Sequence, residues 1–474
     1  MERIAQFIPG VPGEADGIVQ RLRRPIPPGV TGPYVEAYTA PGEAVLLPYC
    51  QGPAAAREVV ASGRRVLALN FDPLLVLLVR SALVPLPDHD LDAAVTHLGD
   101  SLKQDVPLRD YLEGLYTTTC PACLRPVVAD SYVWDREQDA PVEKCVRCPD
   151  CDWDGRADVE IEDRVRLASV PVQQMHYHYV LDRVAPKEQD GAIRTRLESL
   201  LQLYSPRNLY ALAELTRKVQ GLFPDGPRHQ ALTIMLLDCL ERCSSLMPVP
   251  GSKAQQRGLS RPRRFLERNV WRAFEDAISR FRGYPGTEAL NLSDTLEEFQ
   301  SLGPDRSGIV AEGLVRDLPR YLPPRRTHLI VLSPPALDSA IWSLSYLWAA
   351  WLLGAEAATP LRPLLRQRSP DPGWFARVVS GSMRTLAGLL RDEGRLVIVL
   401  TGQRPVVVEA LLLAASSARL GVASLVQSDS NYRLELTPTF PDLPPAEEDR
   451  AVAVSEASLD AQIREAAAAA ASEA

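Results

Sequence analysis

The sequence predicts an α/β fold with one doubly wound sheet that a zinc ribbon and a helical insertion interrupt. Three observations predict it. In residues 42–83, short apolar runs alternate with segments whose apolar residues have helical spacing. This pattern is typical of a parallel sheet. Strand patterns return after residue 308, and a cysteine-rich stretch followed by strongly helical segments separates the two parts.

The first part alternates strand and helix. Residues 42–48 and 65–70 are short apolar runs that predict buried strands, and residues 54–62 between them have helical spacing. Asp72 and Pro73 then predict the start of a second helix, with the aspartate as N-cap and the proline in the first turn.

Five cysteines follow within 32 residues, in Cys-x-x-Cys spacing. Such spacing places four thiolates around one tetrahedral zinc ion. The Cys-Pro-x-Cys form occurs twice, so the preferred ligands are Cys120, Cys123, Cys148 and Cys151, with Cys145 as the competing residue. A site of four thiolates is closed and predicts a structural role. Short spacings of this kind also indicate a reducing compartment.

The middle of the chain is predominantly helical. Apolar residues at helical spacing fill residues 194–247, and residues 269–281 predict another helix. His176 and His178 flank Tyr177, and we interpret the three as part of a strand with both histidines on one side. The remaining cysteines, Cys50, Cys239 and Cys243, are expected to be small core residues.

A basic loop lies between these helices. Residues 253–282 contain nine basic and three acidic residues. Arg257, Arg261, Arg263 and Arg264 fall in its Pro- and Gly-rich part, where they form a candidate strip for contacts with phosphate groups. The alternative is a solvated loop with no ligand.

The last part returns to strand patterns. A helix is predicted over residues 374–391, with Gly394 closing it. The predicted strands comprise residues 308–312, 327–333, 395–401, 423–427 and 432–437, the last two joined as a hairpin. Beyond Pro441 the composition becomes acidic and then rich in alanine, which predicts a flexible tail.

Composition limits the class of protein. The 474 residues are 46% hydrophobic and carry a net charge of −8, so nucleic-acid binding would need a local basic face.

The first residues lack the apolar core of a secretory signal. Residues 336–358 are apolar, but Asp338 and the lack of basic flanks favour a buried helix over a membrane span. We therefore expect a cytoplasmic protein without a membrane partner.

The order of elements resembles that of class I S-adenosylmethionine-dependent methyltransferases, and most closely the DNA methyltransferases that modify exocyclic amino groups. The resemblance covers roughly residues 30–440. Its strongest local points are residues 69–75 (LNFDPLL), 204–211 (YSPRNLYA), 268–271 (RNVW) and 333–335 (SPP). It implies a class I methyltransferase-like sheet, S-adenosylmethionine as cofactor and DNA as partner. Bacterial members of that group can carry a zinc ribbon and a helical insertion.

The family's cofactor loop has the form Asp-Pro-Phe-x-Gly-Ser/Thr-Gly. The matching residues are 47–53 (LPYCQGP), so the resemblance assigns cofactor binding to Pro48, Tyr49 and Gly52. Leucine replaces the acidic residue, and Gln51 and Pro53 replace the glycines. The carboxylate that holds the ribose corresponds to Asn70, which offers a weaker contact.

The family's catalytic motif has the form Asp/Asn/Ser-Pro-Pro-Tyr. It corresponds to Ser333, Pro334, Pro335 and Ala336. Ser333 and the Pro334 carbonyl would accept hydrogen bonds from the target amine, whereas Ala336 lacks the ring that stacks on a flipped base. The alternative for these prolines is a simple strand terminator before a helix.

These expectations divide the chain into five segments. They are 1–107 for the cofactor half of the sheet, 108–165 for the zinc ribbon, 166–300 for the helical insertion, 301–441 for the catalytic half and 442–474 for the tail. The leading hypothesis is a DNA amino-methyltransferase-like protein. One alternative is a catalytically inactive homologue that acts as a zinc-containing subunit binding nucleic acid or a protein partner. A further alternative is an unrelated zinc-ribbon interaction protein whose α/β halves only mimic the family.

Overall fold

A computed structural model describes most of the chain. The described residues are 4, 6–11, 18–169, 174–185, 191–252, 258–282, 289–301, 308–365 and 371–438. Arg257 of the predicted phosphate strip and the predicted tail, 442–474, lie outside them.

The described strands are numbered along the chain. They are β1 (Ala44–Pro48), β2 (Arg65–Asn70), β3 (Leu102–Lys103), β4 (Val106–Pro107), β5 (Thr117–Thr119), β6 (Pro126–Val128), β7 (Ser131–Asp135), β8 (Ala140–Arg147), β9 (Asp154–Asp158), β10 (Arg264–Arg268), β11 (Gly308–Glu312), β12 (Thr327–Leu332), β13 (Leu390–Leu400), β14 (Leu420–Ser428) and β15 (Asn431–Pro438).

The described α-helices are numbered in the same way. They are α1 (Thr31–Tyr38), α2 (Pro53–Ala61), α3 (Pro73–Leu83), α4 (Asp88–Asp100), α5 (Leu108–Gly114), α6 (Ile161–Ser169), α7 (Gln174–Val184), α8 (Gly191–Leu201), α9 (Pro206–Leu222), α10 (Gly226–Arg242), α11 (Val270–Arg282), α12 (Leu296–Ser301), α13 (Ser339–Leu353), α14 (Arg362–Leu365), α15 (Pro372–Leu389) and α16 (Pro405–Ser417).

A seven-stranded, mostly parallel sheet joins the two ends of the chain. Its strands lie in the order β11-β2-β1-β12-β13-β15-β14. The first five are parallel, and the pairs β13–β15 and β15–β14 are antiparallel. The predicted α/β sheet with a closing hairpin is therefore present. Because β11 pairs with β2, the long insertion falls between these two neighbouring strands.

Apolar residues on both faces explain why these strands form the centre of the molecule. Along β1 and β2, Leu46 and Leu67 pack into the core beneath α15 and α16. Their neighbours Val45 and Val66 pack into the opposite core with α1 and α2. Alternation of side chains across a pleated sheet gives each strand two buried faces, which is the usual condition of a parallel sheet. Asp72 caps α3 as predicted, since its Oδ1 accepts a hydrogen bond from the Leu74 N–H at 3.0 Å.

The insertion combines helices with small antiparallel sheets. Helices α8, α9 and α10 occupy the stretch predicted to be helical. A four-stranded sheet in the order β10-β7-β8-β9 and the hairpin β5–β6 contain the cysteine region. Strand β10 follows the helices in sequence but pairs with β7, so the helical segment and the cysteine region share one sheet.

The apolar stretch over residues 336–358 contains the buried helix α13. Its Trp348 and Trp351 are fully buried, and they belong to the same core as the helices of the insertion. Within the described parts of the chain, no helix has both the length and the apolar character needed to cross a membrane.

Two sequence-based assignments are wrong. His176 and His178 lie on α7 rather than on a strand, and residues two apart do not share a helix face. Gly394 does not end the preceding helix, because α15 ends at Leu389 and Gly394 lies inside β13. A Cβ at Gly394 would lie 2.9 Å from the Arg391 carbonyl oxygen, so glycine serves a close backbone approach there.

Candidate functional site

Two hairpin turns present the four preferred cysteines. Cys120 and Cys123 lie between β5 and β6, and Cys148 and Cys151 lie between β8 and β9. Each pair thus follows one strand and precedes its antiparallel partner. This arrangement brings two segments of the chain, separated by three strands, to one point.

The two turns have the same backbone form. The Leu124 N–H donates to the Cys120 carbonyl at 3.1 Å, and the Asp152 N–H donates to the Cys148 carbonyl at 3.0 Å. Leu124 and Asp152 occupy equivalent positions and have φ angles of 60° and 57°. Such left-handed conformations are uncommon outside glycine, so each turn holds its cysteine pair in a defined geometry.

The distances between sulfur atoms fit one tetrahedral metal ion. The Cys120 and Cys151 Sγ atoms are 3.7 Å apart, as are those of Cys123 and Cys148. All four Sγ atoms lie within 4.8 Å of one another. A Zn–S bond of about 2.3 Å in a tetrahedron places sulfurs about 3.8 Å apart. The four cysteines therefore form a metal-binding cluster compatible with zinc, with no ligand position left for a substrate.

Cys145 does not belong to this cluster. It lies within β8, where it pairs with Ser131 on β7 and with Arg156 on β9. Its place in the strand ladder, rather than in a turn, separates it from the four sulfur atoms. The competing assignment through Cys145 is therefore not supported.

Backbone dipoles favour the thiolate form at one ligand. The Cys123 N–H, with a further contribution from the Ala122 N–H, lowers the pKa of the Cys120 thiol to about 7. Metals bind thiolates rather than thiols, so these backbone groups favour the metal-binding form of Cys120.

The predicted cofactor loop follows β1 and leads into α2. Tyr49 has a φ of 58°, and its hydroxyl donates to Ser382 Oγ at 2.6 Å. The Cys50 N–H donates to the Leu69 carbonyl at 3.0 Å, which ties the loop to the end of β2. Pro48 and Gly52 are buried. The loop is thus fixed by protein contacts on both sides.

Asn70, the predicted ribose contact, is committed to the protein itself. It is buried, its Nδ2 donates to the Cys50 carbonyl at 2.8 Å, and its Oδ1 accepts from the Asp72 N–H at 3.0 Å. Its Nδ2 therefore ties the end of β2 to the loop after β1, and its Oδ1 fixes the turn into α3.

The predicted catalytic motif lies beside the predicted cofactor loop. Ser333 and Pro334 follow β12, the neighbour of β1 in the sheet, and both are buried. The Gln51 Nε2 donates to the Ser333 carbonyl at 3.4 Å. Two motifs almost three hundred residues apart in sequence therefore meet at the carboxyl ends of neighbouring parallel strands, where α/β proteins bind ligands.

A segment from the N-terminal part of the chain covers this junction. The Arg24 N–H donates to Gln51 Oε1 at 2.7 Å, and the Ser333 hydroxyl donates to the Arg24 carbonyl at 3.0 Å. Pro25 packs on Gly52, where an added Cβ would lie 2.8 Å from the proline Cβ. The polar side chains of both motifs thus bind the protein's own backbone.

Aromatic residues near Ala336 do not restore a stacking surface. Trp342 is buried and packs 5.5 Å from the Trp374 ring. Tyr346 is fully buried, and its hydroxyl donates to the Val184 carbonyl at 3.3 Å. Both side chains on α13 therefore belong to the core.

The described arginines of the predicted phosphate strip have protein partners. The Nε atoms of Arg263 and Arg264 each lie 3.3 Å from Asp135 Oδ2, a carboxylate without exposed side-chain surface. Arg261 donates to the Gln202 carbonyl at 3.0 Å. About half of the Arg263 and Arg264 side chains stays exposed, so phosphate contacts are sterically open while the charges are partly balanced.

An arginine that sequence reasoning did not single out links the helices to the cysteine region. Arg207, on α9, is buried and pairs with the fully buried Glu267 on β10. Its guanidinium lies 4.3 Å from the Tyr132 ring centroid and 4.8 Å from that of Tyr116. The sequence feature that could have pointed to Arg207 is its position in the YSPRNLYA stretch. That stretch has a structural role in this chain.

Comparison of the chain with family models, curated proteins and solved structures finds no match.

Proposed function

We propose that this chain is a catalytically inactive homologue of S-adenosylmethionine-dependent DNA amino-methyltransferases. Its role is that of a zinc-containing subunit that binds nucleic acid or a protein partner. The observation that carries this proposal is that the Arg24 N–H donates to Gln51 while the Arg24 carbonyl accepts from the Ser333 hydroxyl. These hydrogen bonds use the Gln51 side chain, in the loop matched to the family's cofactor motif, and the Ser333 hydroxyl, to which the resemblance assigns contact with the target amine.

The strand order and the meeting of two motifs support the methyltransferase part of the proposal. Strands β1 and β12 are neighbours, so the loop containing Gln51 and the motif that starts at Ser333 share one edge of the sheet. The closing antiparallel hairpin also agrees with the order of elements on which the resemblance rests.

Three features support the inactive form. The amide of Asn70 is used in internal hydrogen bonds. Pro25 packs against Gly52, which lies between the two positions where the family has glycines that allow a close approach of the cofactor. Ala336 provides no aromatic face, and stacking is worth about 1–3 kcal/mol per base.

Calorimetric titration of the full chain with S-adenosylmethionine tests the proposal. We expect no binding heat at high-micromolar cofactor, because Arg24 and Pro25 occupy the cleft. An active DNA amino-methyltransferase under the same conditions is the positive control. Saturable binding at one site, together with methyl transfer to duplex DNA, would overturn the inactive assignment.

The second candidate function is an active DNA amino-methyltransferase, and the contact between Gln51 and Ser333 favours it. In that case Ser333 and the Pro334 carbonyl would orient the target amine, and Pro48, Tyr49, Gly52 and Asn70 would line the cofactor site. The cofactor would supply an activated methyl group, so the residues would act mainly by positioning the amine. The same titration separates the two candidates.

A further inference from the structure

We infer that residues 23–25 form a strap that keeps the ligand cleft closed, and that its release opens the cleft to S-adenosylmethionine. This inference rests on the proposed methyltransferase-like cleft between β1 and β12. It adds a means of control to that cleft: the closed state is held by a few specific contacts that one conformational change can remove.

The strap occupies the cleft through its backbone. One residue, Arg24, offers its N–H to Gln51 at 2.7 Å and its carbonyl to the Ser333 hydroxyl at 3.0 Å. Gln51 and Ser333 come from loops that follow neighbouring strands, so the backbone of Arg24 bridges the two motifs. The backbone N–H and carbonyl of Arg24 thereby take the hydrogen bonds that a polar ligand would otherwise make.

Pro25, the residue after Arg24, adds a steric barrier to ligand entry. Pro25 lies against Gly52, and even one added methyl group at Gly52 would meet the proline Cβ at 2.8 Å. A ligand that approaches the Gly52 backbone from this side therefore has to displace Pro25. Because of this contact, glycine at position 52 is not enough to expose the loop backbone to a ligand.

The strap is connected on both sides to other elements. Before it, Arg21 Nε lies 3.3 Å from Glu241 Oε1 on α10 of the insertion. After it, the N–H groups of Gly29 and Gly32 both donate to the Glu58 carboxylate on α2, each at 2.7 Å. The strap therefore runs from the insertion to the helix that follows the cofactor loop, so movement of the insertion would pull on it.

The closed state is not fixed by a large buried surface. Arg24 and Pro25 are exposed. Arg23 is the buried residue of the strap, yet its Nε has no hydrogen-bond partner among the described residues. Burying a polar group without a partner costs free energy, which lowers the stability of the closed state.

A double substitution, Gln51→Gly with Ser333→Ala, tests the strap because it removes both side-chain contacts to Arg24. Arg24→Ala is the matched control, since it retains the backbone groups that make these contacts. Calorimetric titration with S-adenosylmethionine should show at least tenfold tighter binding for the double variant than for the intact chain. The control should behave as the intact chain does.

The double variant is folded if its zinc content and its far-UV circular dichroism spectrum equal those of the intact chain. A folded double variant that binds no better than the intact chain would overturn the strap and leave the proposed inactive function standing. Saturable binding by the intact chain, together with methyl transfer to duplex DNA, would instead overturn the proposed inactive function. Equal gains in the control and the double variant would also overturn the strap, because the control keeps the backbone contacts.

Discussion

Replacing Cys148 with serine is expected to abolish stoichiometric zinc binding and to unfold the cysteine region. Its Sγ is 3.7 Å from that of Cys123, so its loss leaves three thiolates and an open tetrahedron. Structural zinc contributes about 10–16 kcal/mol to the folding of zinc-finger peptides, which makes this the largest effect expected from one substitution. Elemental analysis of the purified chain and thermal unfolding measure the two consequences.

Cys145→Ser is the matched control, because that cysteine lies in the same region but outside the cluster. It should retain one zinc ion per chain and nearly the same unfolding midpoint. Full zinc content in Cys148→Ser, or its loss in Cys145→Ser, would contradict the ligand assignment.

Replacing Arg207 with methionine is expected to destabilise the insertion by about 3–5 kcal/mol, the usual cost of removing one partner of a buried ion pair. Glu267 would be left buried and charged, without the guanidinium that now contacts both of its oxygens. Burial by itself would lower the pKa of Arg207, but the Glu267 carboxylate raises it and keeps the guanidinium charged. The shift of the midpoint in urea denaturation measures the effect.

Arg217→Met provides the comparison. Arg217 also pairs with a buried carboxylate, Glu214, but about half of its side chain is exposed, and Lys103 and His176 remain as partners. We expect a change of roughly 0–1 kcal/mol, as for most exposed ion pairs. Equal effects of the two substitutions would contradict the role assigned to Arg207.

Local sequence patterns predicted much of the central sheet. Residues 65–70 and 308–312 form strands with the predicted bounds, because short apolar runs of this kind are stable only when both faces are buried. The four-cysteine cluster was also predictable, since the spacing within each turn is a local property. Asp72 is a further case, in which the cap depends on residues only two positions apart.

Contacts between distant parts of the chain could not be predicted in this way. Arg24 and Ser333 are separated by 309 positions, and their hydrogen bond involves a backbone carbonyl that carries no residue signature. The acidic partner of Arg263 and Arg264 lies more than one hundred positions away, so their sequence suggested free positive charge. For the same reason Asn70 looked available for a ligand although both ends of its amide are used internally.

Two of the stretches that carry the resemblance have structural roles in this chain. The YSPRNLYA stretch supplies Arg207 to the pair with Glu267, and Asn208 accepts from the Tyr116 hydroxyl at 2.7 Å. In the RNVW stretch, Asn269 caps α11 by accepting from the Trp271 N–H at 3.1 Å. These residues join the helices to the cysteine region, so both stretches have structural roles in this chain.

The central claim is that the backbone of Arg24 fills the cleft between the two predicted motifs, and hydrogen exchange of the Arg24 amide tests it most directly. The amide donates to Gln51 at 2.7 Å, so we predict exchange at least about tenfold slower than for an unprotected amide in the same sequence. Mass spectrometry with fragmentation to single-residue resolution provides the measurement on the full chain. Exchange at the unprotected rate would contradict the closed cleft.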